Sequence, residues 1–215
     1  MPNWVSNTLT ITVETEERRD EIVAILGAPV VRATSNEDSW EVETEASQPL
    51  SYWNIDAPPV EKYEEYFGMS GFANGVRYGD GSYNWYNWNN DNWGCKWDAT
   101  EVDVETFDLF DGRWCVTYHF ESPWSPPSEF YQKLAYTFQD AEIEVEWEEE
   151  QGFGAELQSD GNGYMTEIRS WDIPETHAEF VAKGDEDGCL CAYGNGEHFD
   201  DCPEENWKEK GEDNE

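Results

Sequence analysis

Cys189, Cys191, His198 and Cys202 have the residue types of a Cys₃His zinc site, in a stretch with few apolar residues of its own. Their spacing counts against it. Two cysteines one residue apart on an extended strand point about 6.8 Å apart, too far to share a tetrahedral ion, so a turn at Leu190 would be required. Free thiols are the simpler reading: the expected cofactor is none, with a structural zinc ion at these four residues as the alternative. His119 and Asp103, opposed in the hairpin derived below, resemble two members of a hydrolytic triad. No Ser or Cys motif supplies a nucleophile, and an ordinary cross-strand ion pair explains them. Trp85, Trp88 and Trp93 could stack on sugar rings while Asp91 and Asp98 act as acid and base, since glycosidases need two carboxyl groups about 5 to 10 Å apart. Core packing accounts for the same tryptophans with fewer assumptions. No P-loop, dinucleotide fingerprint or HExxH pattern is present, so a non-enzymatic protein is expected.

Carboxylates spaced for binding are more prominent. Glu41, Glu43 and Glu45, then Glu101, Asp103 and Glu105, then Glu142, Glu144, Glu146 and Glu148 alternate along three expected strands. Each set lines one strand face with charges about 6.8 Å apart. If the three strands share a sheet whose other face carries the helices, the open face is one acidic plate. The 215 residues hold 49 Asp and Glu against 12 Lys and Arg, a formal net charge of -37. Spread evenly over a compact monomer, that is roughly 275 Å² per net charge, or a spacing of about two Debye lengths at physiological salt. B-DNA carries about one charge per 100 Å², so mimicry of a nucleic acid needs the acids gathered on one face. Repulsion opposes direct contact with nucleic acid or an anionic membrane. A gathered plate can dock a basic protein surface or copy a phosphate backbone. Solvated strand faces, or adaptation to high salt, account for the same composition without a partner.

The elements that would position these groups follow from periodicity. Asn7 to Val13 alternates as a strand with Leu9, Ile11 and Val13 on one face. Thr15 can cap a helix from Glu16 to Leu26 that Gly27 and Pro29 end. A second strand covers Ser39 to Thr44. Residues 46 to 82 hold several Pro and Gly and one short helix from Pro59 to Phe67. Val102 to Leu109 and Arg113 to Glu121 form a hairpin. Core-facing Trp114, Val116, Tyr118 and Phe120, together with Val102 and Val104, require paired residue numbers to sum to an even total. That sets Asp103 opposite His119 and Glu105 opposite Thr117, with Gly112 left-handed. Ser125, Pro126 and Pro127 open a helix with Tyr131, Leu134, Ala135 and Phe138 on its apolar face. A strand from Ala141 to Glu148, a hairpin of 153–158 with 164–171 and a short helix from Glu175 to Lys183 follow. From Gly184 apolar residues thin out, and disorder is expected beyond Pro203.

The run YNWYNWNNDNWGCKWD is expected to be core, because four indoles at Trp85, Trp88, Trp93 and Trp97 are costly to leave in water. It reads as a short helix stopped at Gly94. The order of strands and helices suits an α+β, ferredoxin-like split β-α-β sheet with helices on one face. Residues 1–172 form that domain, with a Trp-rich insertion over about 46–98. An extra C-terminal hairpin, a helix and Cys-containing loop at 173–202 and an acidic tail at 203–215 follow. No segment approaches 18 apolar residues, no leader pattern opens the chain, and five cysteines do not make a disulfide framework, which points to the cytoplasm.

The opening MPNWVSNTLTI, the central WYNWNNDNWGCKWDA and the segment FESPWSPP resemble the YubB-type ferredoxin-like proteins of phages and plasmids. The likeness spans about residues 1–150. It implies the fold and a mobile-element setting, but no activity. The family usually has Thr where this chain has Cys95, which implies that Cys95 is not catalytic. The expected function is an accessory protein that presents the acidic plate, through the three Glu and Asp ladders, to a basic host protein such as a nucleic-acid-binding defence factor. The alternatives are a virion or assembly component whose acidity serves solubility in high salt, and a glycan-binding or glycan-cleaving protein.

Overall fold

The computed structural model describes residues 3–35, 40–59, 62 and 85–172. In chain order its elements are β1 (Trp4–Val13), α1 (Glu16–Leu26), β2 (Val30–Ser35), β3 (Trp40–Ala46), a 3-10 turn at Tyr52–Asn54, α2 (Trp85–Trp93), β4 (Thr100–Asp108), β5 (Trp114–Pro123), α3 (Ser128–Thr137), β6 (Glu142–Glu149), β7 (Gly154–Ser159) and β8 (Met165–Trp171). Strand β1 is central because its inward face, Val5, Leu9, Ile11 and Val13, is wholly apolar apart from Asn7, and every one of these residues is buried. It pairs antiparallel with β5 on one side and β6 on the other. The full order is β4-β5-β1-β6-β7-β8, with every neighbouring pair antiparallel. Helix α1 follows β1 and packs on β1 and β5, and α3 connects β5 to β6, which is the ferredoxin-like arrangement extended by the β7–β8 hairpin.

Both helices bury one stripe against the inward face of the sheet. In α1 the Thr15 hydroxyl accepts from the Arg18 N–H at 3.2 Å, and Glu16 and Glu17 complement the positive end of the helix dipole. Ile22 and Leu26, four apart, are fully buried. In α3 the spacing of Phe130, Tyr131, Leu134, Ala135 and Phe138 does the same. Each such large apolar side chain contributes about 1.5–3 kcal/mol by leaving water. The expected cap is corrected here: Pro127 occupies the N-cap, and the Ser125 hydroxyl donates to Gly94 O at 2.7 Å, tying α3 to the end of α2.

The tryptophan run forms the predicted helix, α2, and Gly94 ends it at φ +87. A Cβ at Gly94 would stand 2.8 Å from Ser128 N, so α3 is packed against this turn. Trp88 and Trp93 are buried, and Trp93 meets Tyr52 and Trp53 edge-on at centroid distances of 5.7 and 5.5 Å. Its indole N–H donates to Asp56 O at 2.8 Å. Trp85 is half-buried against the core. Trp97 departs from the expectation: it is 39% exposed, with the Lys96 ammonium 4.1 Å above its ring. A cation over the ring face lets an indole stay at the surface. Cys95 is buried, its thiol pushed up by burial and by the Asp98 carboxylate, and it packs as a small apolar residue that donates to Trp97 O.

The expected second strand, Ser39 to Thr44, is also corrected. Trp40–Ala46 pairs with β2 in a separate two-stranded sheet, and the edge place in the main sheet goes to β4. Strand β2 had no clear signal, because VVRATS does not alternate. Of the other expected elements, the helix from Glu175 to Lys183, most of the one from Pro59 to Phe67 and the acidic tail lie outside the described residues.

Candidate functional site

The helices cover one face of the sheet, and the register determines what the other face carries. Asp103 pairs with His119, His119 with Thr8, Thr8 with Glu146, Glu146 with Glu156 and Glu156 with Arg169, so these six residues form one row across six strands. The next row is Glu105, Thr117, Thr10, Glu144, Gln158 and Thr166. A third runs Phe107, Cys115, Thr12 and Glu142. Because alternate residues share a face, every member of these rows points away from Leu9, Ile11, Val116, Ile143 and Val145 in the core. The predicted pairs Asp103 with His119 and Glu105 with Thr117 are both present.

The acids form two rails. Glu142, Glu144, Glu146 and Glu148 of β6 make one, and Asp103 and Glu105 of β4 make the other. Three strand spacings, about 14 Å, separate them, and the floor between is Thr8, Thr10, Thr117 and His119. The floor is internally bonded: Thr8 Oγ1 lies 3.1 Å from His119 Nδ1, and Thr10 Oγ1 lies 3.1 Å from Thr117 Oγ1. His119 thus bonds to threonine, and its register partner Asp103 is left for other contacts. Glu101 does not continue the β4 rail. A bulge between Thr100 and Asp103, with Glu101 at φ +51, throws it out of alternation. Its charge helps to raise the Glu121 carboxyl above the ordinary value, after burial and together with Glu150.

Among the described residues, ion pairs bring cations to the plate at Glu142 and Glu156. Arg113 binds Glu142 at 2.7 Å and Arg169 binds Glu156 at 2.5 Å. Trp171 Nε1 donates to Glu148 at 2.7 Å, reaching over Gly154, where a Cβ would stand 2.6 Å from the indole. Among the described residues no Lys or Arg pairs with Asp103, Glu105, Glu144 or Glu146. Beside β6 lies a depression of about 370 Å³ lined by Thr8, Thr10, Glu144, Glu146, Glu156, Gln158 and Ile168. Its walls are carboxylates and its far lip is an aliphatic side chain 60% exposed, a combination that suits the apolar stem and charged head of Lys or Arg.

The remaining candidates separate. Glu41, Glu43 and Glu45 are on β3, in the other sheet, so the three ladders do not share one. Trp88 and Trp93 are inside the core, which removes the stacking platform of the glycan reading. Asp98 accepts from Ser51 Oγ at 2.6 Å, the Tyr52 N–H at 2.7 Å, Gln48 Nε2 at 3.1 Å and the Ala99 N–H at 3.0 Å. It staples the 48–52 segment to the start of β4. Cys189, Cys191, His198 and Cys202 lie outside the described residues. Among the described residues no group of three or more His, Cys, Asp or Glu could hold a metal ion. No helix there is long and apolar enough to cross a membrane.

A family model described as the ferredoxin-like domain in Api92-like protein matches residues 92–187, a little under half of the chain. The match runs from the end of α2 through the whole β4 to β8 portion of the sheet. The crystal structure of a protein api92 from Yersinia pseudotuberculosis is similar at 11% sequence identity and a TM-score of 0.45, over 80% of this chain and 100% of that one. No curated protein matches the chain.

Proposed function

We propose that the protein is a non-enzymatic accessory protein whose open sheet face docks a basic protein surface. The observation that carries the reading is the placement of Asp103, Glu105, Glu144 and Glu146, all exposed, on one sheet face, where among the described residues no Lys or Arg pairs with them. A charge pair about 4 Å apart is worth roughly 1 kcal/mol in water and about 4 kcal/mol at the effective dielectric of a protein surface, so several pairs made together give useful affinity and faster encounter. Each rail carries one charge per about 6.8 Å, half the linear density of a DNA strand. That density is enough to attract the groove of a nucleic-acid-binding protein without reproducing a duplex. A defence factor of that kind is the candidate target, in keeping with the phage and plasmid setting that the sequence resemblance implies.

Two triple charge reversals with the same change in net charge test the idea. Asp103, Glu144 and Glu146 are changed to Lys in one, and exposed Glu17, Asp91 and Glu129 on the helices in the other. Binding of an oligolysine peptide is measured in low salt. The reading expects the first variant to lose about tenfold or more in affinity and the second to stay within about threefold. Equal losses would mean that net charge alone attracts the peptide, and the plate reading would be abandoned.

A further inference from the structure

The outer edge of β4 is built differently from the opposite edge. Strand β8 is interrupted where its register shifts around Ile168. In β4 the bulge sits at the start, and Asp103 to Asp108 run in unbroken register against β5. Natural edge strands are blunted with Lys, Pro, bulges or shortness. Thr100–Asp108 contains neither Lys nor Pro, and Val104 and Phe107 are 39% and 44% exposed. Among the described residues no strand lies beyond it. The Leu109 N–H donates to Arg113 O at 2.8 Å, which sets the phase of the antiparallel ladder. The amides of Phe107, Glu105 and Asp103 then face β5, and those of Val104, Thr106 and Asp108 face outward.

Charge decides what such an edge accepts. A second copy of the chain would lay Asp103 and Glu105 beside acids of its own β4, and like charges directly opposite destabilise a strand pair. We propose that β4 takes up, as a seventh strand, an extended segment of a partner in which Lys or Arg alternates with aliphatic residues. The basic residues lie beside Asp103 and Glu105 on the open face, and the aliphatic ones extend the Val104 side. Main-chain hydrogen bonds supply the pairing and the alternate side chains supply the choice of partner. The inference rests on the reading of a basic partner and adds how part of it is held.

The full chain is titrated with two heptapeptides of equal composition, one alternating Lys and Val and one with all Lys before all Val. Amide exchange is followed by NMR. The alternating peptide is expected to bind about tenfold tighter and to slow exchange at Val104 and Thr106 by a similar factor. Thr106→Pro, which removes an outward N–H, should reduce it to the level of the block peptide. Because proline can also unfold a strand, a second variant with Asp103→Lys and Glu105→Lys should instead prefer an alternating Glu and Val peptide. Equal affinities, or tight binding without protection of the two amides, overturn the edge and leave the plate intact. A block peptide that ignores reversal of Asp103, Glu144 and Glu146 overturns the plate itself.

Discussion

Tyr131 donates its hydroxyl to Asn7 Oδ1 at 2.7 Å, and the Asn7 amide in turn donates to Val5 O at 2.7 Å and Ser122 Oγ at 3.1 Å, so a polar group in the middle of β1 is satisfied. Tyr118, equally buried one strand away, has no partner for its hydroxyl among the described residues. The two tyrosines should therefore answer the same substitution differently. Tyr131→Phe strands the Asn7 carbonyl and is expected to cost about 1–3 kcal/mol, whereas Tyr118→Phe should be neutral or stabilising. Urea denaturation of both variants checks the contrast, and equal losses would contradict it.

Asp98→Ala removes the acceptor shared by Ser51, Tyr52, Gln48 and Ala99. Bonds to a carboxylate are worth about 1.5–3 kcal/mol each and are not additive, so a loss of about 3 kcal/mol is expected. The Tyr52 amide should exchange faster than amides in β1, since the 48–52 segment loses its tie.

Glu121 and Asp140 should give opposite pH slopes. Burial, with Glu101 and Glu150, raises the Glu121 carboxyl, so the folded state holds that proton more tightly than the unfolded chain does. The resulting stability is present below the ordinary value of 4.5 and is lost as pH rises through the folded value. Glu121→Gln is thus expected to stabilise at pH 7 and to have little effect near pH 3. The hydrogen bond from Arg18 holds Asp140 below its ordinary value, a contribution present above 3.8 and lost as pH falls through the folded value. Asp140→Asn should cost less than about 1 kcal/mol at pH 7, because the pair is exposed, and progressively less as pH falls below 3.8. Thermal melts across pH 2–8 resolve both signs.

Gly94→Ala meets two obstacles together: the left-handed φ of +87 and backbone of α3 at 2.8 Å. The first alone costs about 1–2 kcal/mol, so at least about 2 kcal/mol is expected. Gly112→Ala has the same sign of φ but open space around it, and should cost only the first part.

Much of this was legible before the structure. Alternation located β1, β5 and β6, the Thr15 cap opened α1, and the parity of the hairpin register alone placed Asp103 against His119. Sheet membership was not legible. Trp40–Ala46 alternates as well as β6 does, yet it pairs with β2, because which strand a segment finds depends on contacts distant in sequence. Trp97 departs from its three neighbours because the cost of exposing an indole is offset there by the adjacent Lys96, whose ammonium sits over the ring. Asp98 looked like a reactive carboxylate only because nothing in its neighbourhood announces Ser51 and Tyr52, nearly fifty residues upstream.

Among the described residues, α1 and α3 pack on the side of the sheet that carries Leu9, Ile11, Val116 and Ile143, while Thr8, Thr10, Glu144 and Glu146 line the depression on the other side. Cohesion and recognition are thereby written on opposite surfaces of the same strands, in interleaved positions. The outer letters can be recoded, acid for base or for aromatic, to meet a new target while the buried inward letters that hold the fold are kept.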